Sequence, residues 1–280
     1  MFSDVLLTVD FDRTLTAPDS SIPQRNIEAI RYFMENGGTF TVNTGRSVNT
    51  FRAHLNTVPT NAPLLLYNGS AAYENGVLSQ LRIIDLPMWE VLDEMAELFP
   101  DMNLEVQGVE NHYLVHGTPG IQDLYRGMGW DFEMADQETD MGPFIKFALF
   151  GQVNKAAVSD MFSGSEAELQ RFADAQKTIE DRYGDKVVVF RAAPRILDVH
   201  CKGVSKLRAA RDLQAKLGKK HLVCVGDAEN DITMLEGADF AFCPSDGVVA
   251  DRFPNVCPCG EGAVADVIYK KIPEILGLCP

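Results

Sequence analysis

The sequence predicts an α/β fold, a parallel-sheet core interrupted by an inserted α+β segment. Short apolar runs without alternation stand at residues 5–9, 39–42, 63–67 and 222–225. Such runs are the pattern of strands covered on both faces, as inside parallel sheets. Stretches with helical spacing separate them, and beyond about Arg82 the rhythm changes to one helix followed by several β-rich pieces. A chain of 280 residues exceeds the common single-domain size of roughly 100 to 150, so two domains are expected.

The first unit runs strand, loop, helix. Residues 5–9 deliver Asp10; after Pro23, Ile27, Ile30, Phe33 and Met34 recur at helical spacing, and Gly37-Gly38 supplies the stop. Residues 39–42 read as the next strand, 47–55 as a short helix, and 63–67 as a third strand ending at Asn68-Gly69. The insert opens with a helix over 87–99, followed by strands at 104–109, 112–115 and 144–150. Ser163 and Glu166 have the Ser-x-x-Glu spacing of a capping box ahead of a helix to about Tyr183, and strands at 186–191 and 196–200 follow. The α/β rhythm resumes with a helix over 205–217, the strand 222–225, a helix from Asn230 and a last helix near 264–275. The predicted domains are 1–82 plus 191–280, a discontinuous core, and 83–190, the insert.

Composition narrows the function. Hydrophobic residues make up 46% and charged residues 23%, values of an ordinary globular chain. There are 25 basic and 40 acidic residues, a net charge of −15, which argues against nucleic acid or an anionic membrane as partner. Residues 83–190 hold 7 basic and 21 acidic residues, net −14, so the acidity is concentrated in the insert. The N-terminus lacks a basic start and a long apolar centre, and no window reaches the length of a membrane span; a cytoplasmic protein is expected. Six cysteines without a dense framework fit a reducing compartment; Cys257 and Cys259 read as loop cysteines rather than a metal clip or redox pair.

Four elements carry chemistry. Asp10 and Asp12, in Asp10-Phe11-Asp12-Arg13-Thr14, place two carboxylates just after a buried strand, where open α/β sheets hold ligands. Thr44-Gly45-Arg46 offers a hydroxyl and backbone amides suited to phosphate oxygens, though Thr-Gly is also ordinary turn sequence. Gly226-Asp227-Ala228-Glu229-Asn230-Asp231 supplies oxygen ligands for a hard cation, or simply acidic groups favoured at a helix N-terminus. Lys206 would stand in a first helical turn, where the helix dipole opposes a cation.

In this order on this pattern, the elements resemble the four motifs of the haloacid dehalogenase (HAD) superfamily of phosphohydrolases, at Asp10 to Thr14, Thr44, Lys206, and Gly226 to Asp231. The insert, Asn68-Gly69 and Gly203-Val204-Ser205-Lys206 resemble the Cof-like subclass with its type IIB cap. The resemblance implies a Rossmann-like core carrying the chemistry and a cap whose loops close over it and choose the leaving group. It implies a magnesium-dependent phosphatase acting on a small phosphorylated metabolite. The acidity of the insert favours a neutral leaving group, so a sugar phosphate is expected, and a monomer or homodimer. Asp10 would be the nucleophile and Asp12 the general acid and base. Mg2+ would be held by Asp10, the carbonyl of Asp12 and Asp227, with Asp231 in support. Thr44, Gly45, Lys206 and Asn230 would bind the phosphoryl group, with Lys202 as the second choice of lysine. Arg13 departs from the glycine frequent at its position. A phosphomutase or phosphotransferase, a non-catalytic phosphometabolite-binding regulator and a receiver-like domain are the competing readings. In the cap, His112, His116, Arg126, Trp130 and Lys146 are candidates for leaving-group recognition or for ordinary structural roles.

Overall fold

A computed structural model describes residues 1–109, 111–153 and 163–278. The chain divides into two compact units, 1–79 with 205–280, and 80–204.

In the first unit five parallel strands lie in the order Asn255–Val256, Phe240–Pro244, His221–Val225, Val5–Val9, Thr39–Val42. Val5–Val9 is buried along its whole length, which is why its sequence shows no alternation. The chain passes from this strand to Thr39–Val42 on one side and returns to His221–Val225 on the other. That makes the carboxyl end of Val5–Val9 a topological switch point, the place where open sheets leave a crevice. Phe240–Pro244, absent from the sequence reading, extends the sheet. Leu64–Leu66 does not join the parallel sheet as a full strand. It pairs antiparallel with Ala71–Glu74, which pairs with Val77–Ser79, and reaches the parallel strands only through a bridge between Asn43 and Leu65.

The second unit is a six-stranded sheet in the order Val187–Ala193, Ile196–Cys201, Phe144–Phe150, Asn103–Gly108, His112–His116, Glu133–Met134, antiparallel except for the last pair. Leu104, Val106, Phe147, Leu149, Leu197 and Val199 form one core with helices Met88–Leu98 and Glu166–Tyr183. Helix Pro119–Met128, not expected from sequence, packs with Ala148 and Phe150 of the opposite face.

Three further expectations change. The boundary expected at 190/191 lies at 204/205, because Ile196–Cys201 pairs between Phe144–Phe150 and Val187–Ala193 in the second unit. Similarly, the first boundary falls after residue 79 rather than 82. The capping box is shifted by two residues: the Ser165 hydroxyl accepts from Glu168 N while Glu168 accepts from Ser165 N. No helix among the described residues is long and apolar enough to cross a membrane.

Candidate active site

Three strand ends meet at the switch point. Asp10 follows Val5–Val9, and its N–H donates to the Val225 carbonyl at 2.8 Å. Asn43 and Thr44 follow Thr39–Val42, and Gly226-Asp227 follow His221–Val225. Helix Lys206–Leu217 brings its first residue to the same place; Asn43 Nδ2 donates to the Lys206 carbonyl at 2.9 Å and fixes that helix start.

Lys206 is 1% exposed, which removes the bland reading of a surface lysine. Its Nζ donates to Asp10 Oδ1 at 2.5 Å and to Asp231 Oδ1 at 2.7 Å. The other oxygen of Asp231 accepts from the N–H groups of Asp227 and Ala228 at 3.0 and 3.1 Å. Gly226 is required here, because a Cβ would meet the Asp231 side chain at 2.6 Å. Thr14 Oγ1 donates to Asp227 Oδ1 at 2.8 Å, tying the first loop to the last. Lys202, by contrast, is exposed and donates to the Gly184 carbonyl in the second unit.

Asp12 is held differently. Arg46 grips both of its carboxylate oxygens, Nε to Oδ2 at 2.8 Å and Nη2 to Oδ1 at 2.7 Å. The guanidinium is anchored in turn by the Thr50 carbonyl at 2.9 Å and by the face of Phe11, 5.0 Å from the ring centre. The sequence reading gave Arg46 no role; an arginine beside a Thr-Gly pair carries no mark of the carboxylate it will meet 34 residues away. Arg13 sits at φ +58°, a left-handed conformation that glycine adopts without strain.

Thr44 and Gly45 lie against Asn68, whose N–H donates to the Thr44 carbonyl at 2.9 Å. Asn230 Nδ2 reaches Asn68 Oδ1 at 3.5 Å. In the second unit, Lys146 Nζ pairs with Asp198 at 2.9 Å and His112 Nδ1 lies 3.2 Å from Glu105, all buried. Trp130 packs edge-on to Tyr125, Arg126 is exposed beside Asp123, and His116 is half-buried. Cys259 donates to Asp246 at 3.2 Å; among the described residues the one metal-ligand cluster is that of Asp10, Asp227 and Asp231.

Those three carboxylates offer oxygens within 4.8 Å of one another. Burial, followed by the neighbouring Asp231, pushes the Asp227 carboxyl up to about 7. Burial likewise drives Asp10 well above the usual carboxylate range against the pull of Lys206. On Lys206 burial opposes the charge, but Asp10 and Asp231 outweigh it and hold the ammonium charged. With all three carboxylates ionised, one ammonium would leave two negative charges in a buried place, a costly arrangement relieved by holding protons or by a further cation. Oxygen donors with excess negative charge suit a hard divalent ion.

Residues 7–248 match the family model described as haloacid dehalogenase-like hydrolase. A relative from Haemophilus influenzae, provisionally named a phosphatase, is 20% identical over 89% of this chain and 87% of its own length. A haloacid dehalogenase-like hydrolase structure from Bacteroides thetaiotaomicron superposes with TM-score 0.77 at 19% identity, covering 95% of this chain and 98% of that one. The structure of BT4131, described as a HAD subclass IIB sugar phosphatase, gives TM-score 0.74 at 17% identity over 98% of this chain and 99% of its own. The family match over most of the chain and the fold of these neighbours agree, and the chain belongs to the haloacid dehalogenase-like hydrolases.

Proposed function

We propose that the protein is a phosphatase that hydrolyses small phosphate monoesters, sugar phosphates by preference, through an aspartyl-phosphate on Asp10. The observation that carries this is the buried Asp10 carboxylate at the switch point, 2.5 Å from the Lys206 ammonium. Lys206 orients the carboxylate and opposes the upward push of burial, favouring the ionised form that a nucleophile requires. An Asp10 oxygen attacks phosphorus, the ester bond breaks, and Asp12, protonated on the side of an oxygen turned away from Arg46, delivers that proton to the departing oxygen. Asp12 then takes a proton from water as the water attacks the Asp10 phosphoryl group, releasing phosphate, restoring the Asp10 carboxylate and returning Asp12 to its protonated form. Lys206, Thr44, Gly45 and Asn230 supply donors for the phosphoryl oxygens, the positioned charge on which phosphoryl transfer depends.

Asp10, Asp227 and Asp231, with the Asp12 carbonyl, would hold Mg2+. When bound, the ion neutralises charge so that carboxylate and phosphate can approach each other. Support for a sugar comes from the sugar phosphatase among the structural neighbours and from the charge of the second unit. That unit holds 11 basic and 22 acidic residues, net −11, a field that repels polyanionic leaving groups. The free cysteines among the described residues fit a reducing, cytoplasmic setting.

The test is phosphate release with Mg2+ from a panel of sugar phosphates, nucleotides and vitamin phosphates, run beside Asp10→Asn. The variant should lose activity by about 10³-fold or more, since the nucleophile is gone. Equal activity in Asp10→Asn refutes the nucleophile, and best activity on a polyanionic phosphate refutes the sugar preference.

A further inference from the structure

Tyr67, Asn68 and Gly69 have φ values of +52°, +54° and +91° in succession. A left-handed residue costs an L-amino acid roughly 1 to 2 kcal/mol, and for a bulky tyrosine it is a genuine outlier. Such strain persists only where the surroundings enforce it. Here the surroundings are three of the proposed catalytic segments.

The turn first grips the 44–46 loop. Tyr67 N–H donates to the Arg46 carbonyl at 3.0 Å and Asn68 N–H to the Thr44 carbonyl at 2.9 Å. In a trans peptide the N–H points opposite to the C=O of the same unit. Pinning the Thr44 carbonyl against the turn therefore aims the Gly45 N–H away from it. Neighbouring amides are already used inside the loop, Arg46 N–H on Thr44 Oγ1 at 3.2 Å and Ser47 N–H on Thr50 Oγ1 at 3.0 Å. The Asn68 side chain, 1% exposed, is wedged against Gly45, where an added Cβ would stand 3.0 Å from its Oδ1.

The same turn also touches the other two segments. Gly69 lies so close to the helix that carries Lys206 that a Cβ would be 2.6 Å from the Ser205 carbonyl oxygen. Asn230 Nδ2 reaches the Asn68 amide oxygen at 3.5 Å. One strained turn thus sets the spacing of the 44–46 loop, the start of the Lys206 helix and Asn230.

We infer that this turn is the positioning element of a phosphate site, and that Asn68 is the positioning residue that aims the Gly45 N–H at a phosphoryl oxygen. The inference rests on the phosphatase reading, because it takes phosphate as the ligand. The full-length 15N-labelled protein with Mg2+ is titrated with inorganic phosphate while the Gly45 amide signal is followed, for wild type, Asn68→Gly and Asn68→Asp. Glycine keeps the left-handed turn and removes the wedge together with the Asn230 contact; aspartate keeps shape and turn preference, so one of them remains available should the other misfold. In wild type the Gly45 signal should shift on binding. Asn68→Gly should bind phosphate about tenfold more weakly with a smaller Gly45 shift, the loss of one well-aimed hydrogen bond. Asn68→Asp, which sets a buried carboxylate against the Gly45 amide, should bind phosphate about 100-fold more weakly in the folded variant. Wild-type affinity and an undiminished Gly45 shift in either folded variant overturn the positioning role and leave the phosphatase reading standing. A wild-type Gly45 signal indifferent to phosphate, in a protein that still hydrolyses monoesters, overturns the inference alone. Absence of both binding and hydrolysis in wild type overturns the phosphatase reading and the inference with it.

Discussion

Removing divalent ions and raising the pH should destabilise the first unit. In the folded, metal-free protein the Asp227 carboxyl is pushed up to about 7 from an ordinary value of 3.8, by burial and by Asp231. Asp10 is raised in the same direction, again chiefly by burial. A carboxyl raised by folding holds its proton more tightly in the folded state than in the unfolded chain. Its stabilising contribution is therefore complete below the unfolded value and is lost as pH rises through the folded one. The slope is about 1.4 kcal/mol per pH unit for each fully linked proton, so Asp227 alone removes about 2 to 3 kcal/mol between about pH 5 and about pH 7. For a unit of this size that is a fall in Tm of roughly 5 to 10 °C. His54, lowered mainly by burial, pushes the other way in this window, so the quantity to measure is wild type minus Asp227→Asn. Calorimetry in EDTA and in Mg2+ is the assay, because both tryptophans, Trp89 and Trp130, belong to the second unit and their fluorescence is silent on the first. Mg2+ should flatten the difference, since the ion takes the place of the protons. A difference that stays flat or rises with pH in EDTA refutes the charge assignment of the triad.

Three further outcomes are expected. Lys206→Met, which strands two buried carboxylates, should cost about 3 to 5 kcal/mol near neutral pH by denaturant titration, part of it recovered on acidification, whereas exposed Lys202→Ala should change kcat/KM by less than about twofold. Arg46→Ala should release Asp12 and lower kcat/KM, which reports the steps up to leaving-group departure, by about 10²-fold on alkyl phosphates but far less on p-nitrophenyl phosphate, whose leaving group needs no proton; an equal loss of kcat/KM on both would remove the link to proton donation. Ser165→Ala should cost the second unit about 1 kcal/mol and Ser163→Ala nearly nothing, read by tryptophan fluorescence during urea unfolding.

The strand ends were legible because complete burial writes itself as an unbroken apolar run, and a parallel sheet then obliges Asp10, Thr44 and Asp227 to share one edge. Choosing Lys206 over Lys202 needed family likeness, since both are lysines at the same helix entrance; burial is what separates them. The second boundary was misplaced although a signal existed. Leu197 and Val199 face a hydrophobic core while Asp198 and His200 alternate with them, the period of an antiparallel strand rather than of a parallel core strand. Nothing in the residue types announced Arg46 on Asp12, or a left-handed Tyr67. Both depend on contacts between distant segments, which local propensity does not encode.

Drawn at the structural boundaries, the units also divide the charge differently. Arg82, Arg191, Arg195 and Lys202 pass to the second unit, leaving the first with 14 basic and 18 acidic residues, net −4. Half of that excess lies in one place, where Asp10, Asp12, Asp227 and Asp231 face only Lys206 and Arg46. Under the proposed mechanism a phosphate monoester, itself a dianion, must enter a site where Asp10 and Asp227, once ionised, add two uncompensated negative charges. A divalent cation cancels those charges, and the Lys206 ammonium, shared between two carboxylates, cannot do so alone. The order of binding follows from that balance: cation before substrate. The same balance makes phosphate affinity in EDTA the most direct measure of how much of the site's field the protein supplies by itself.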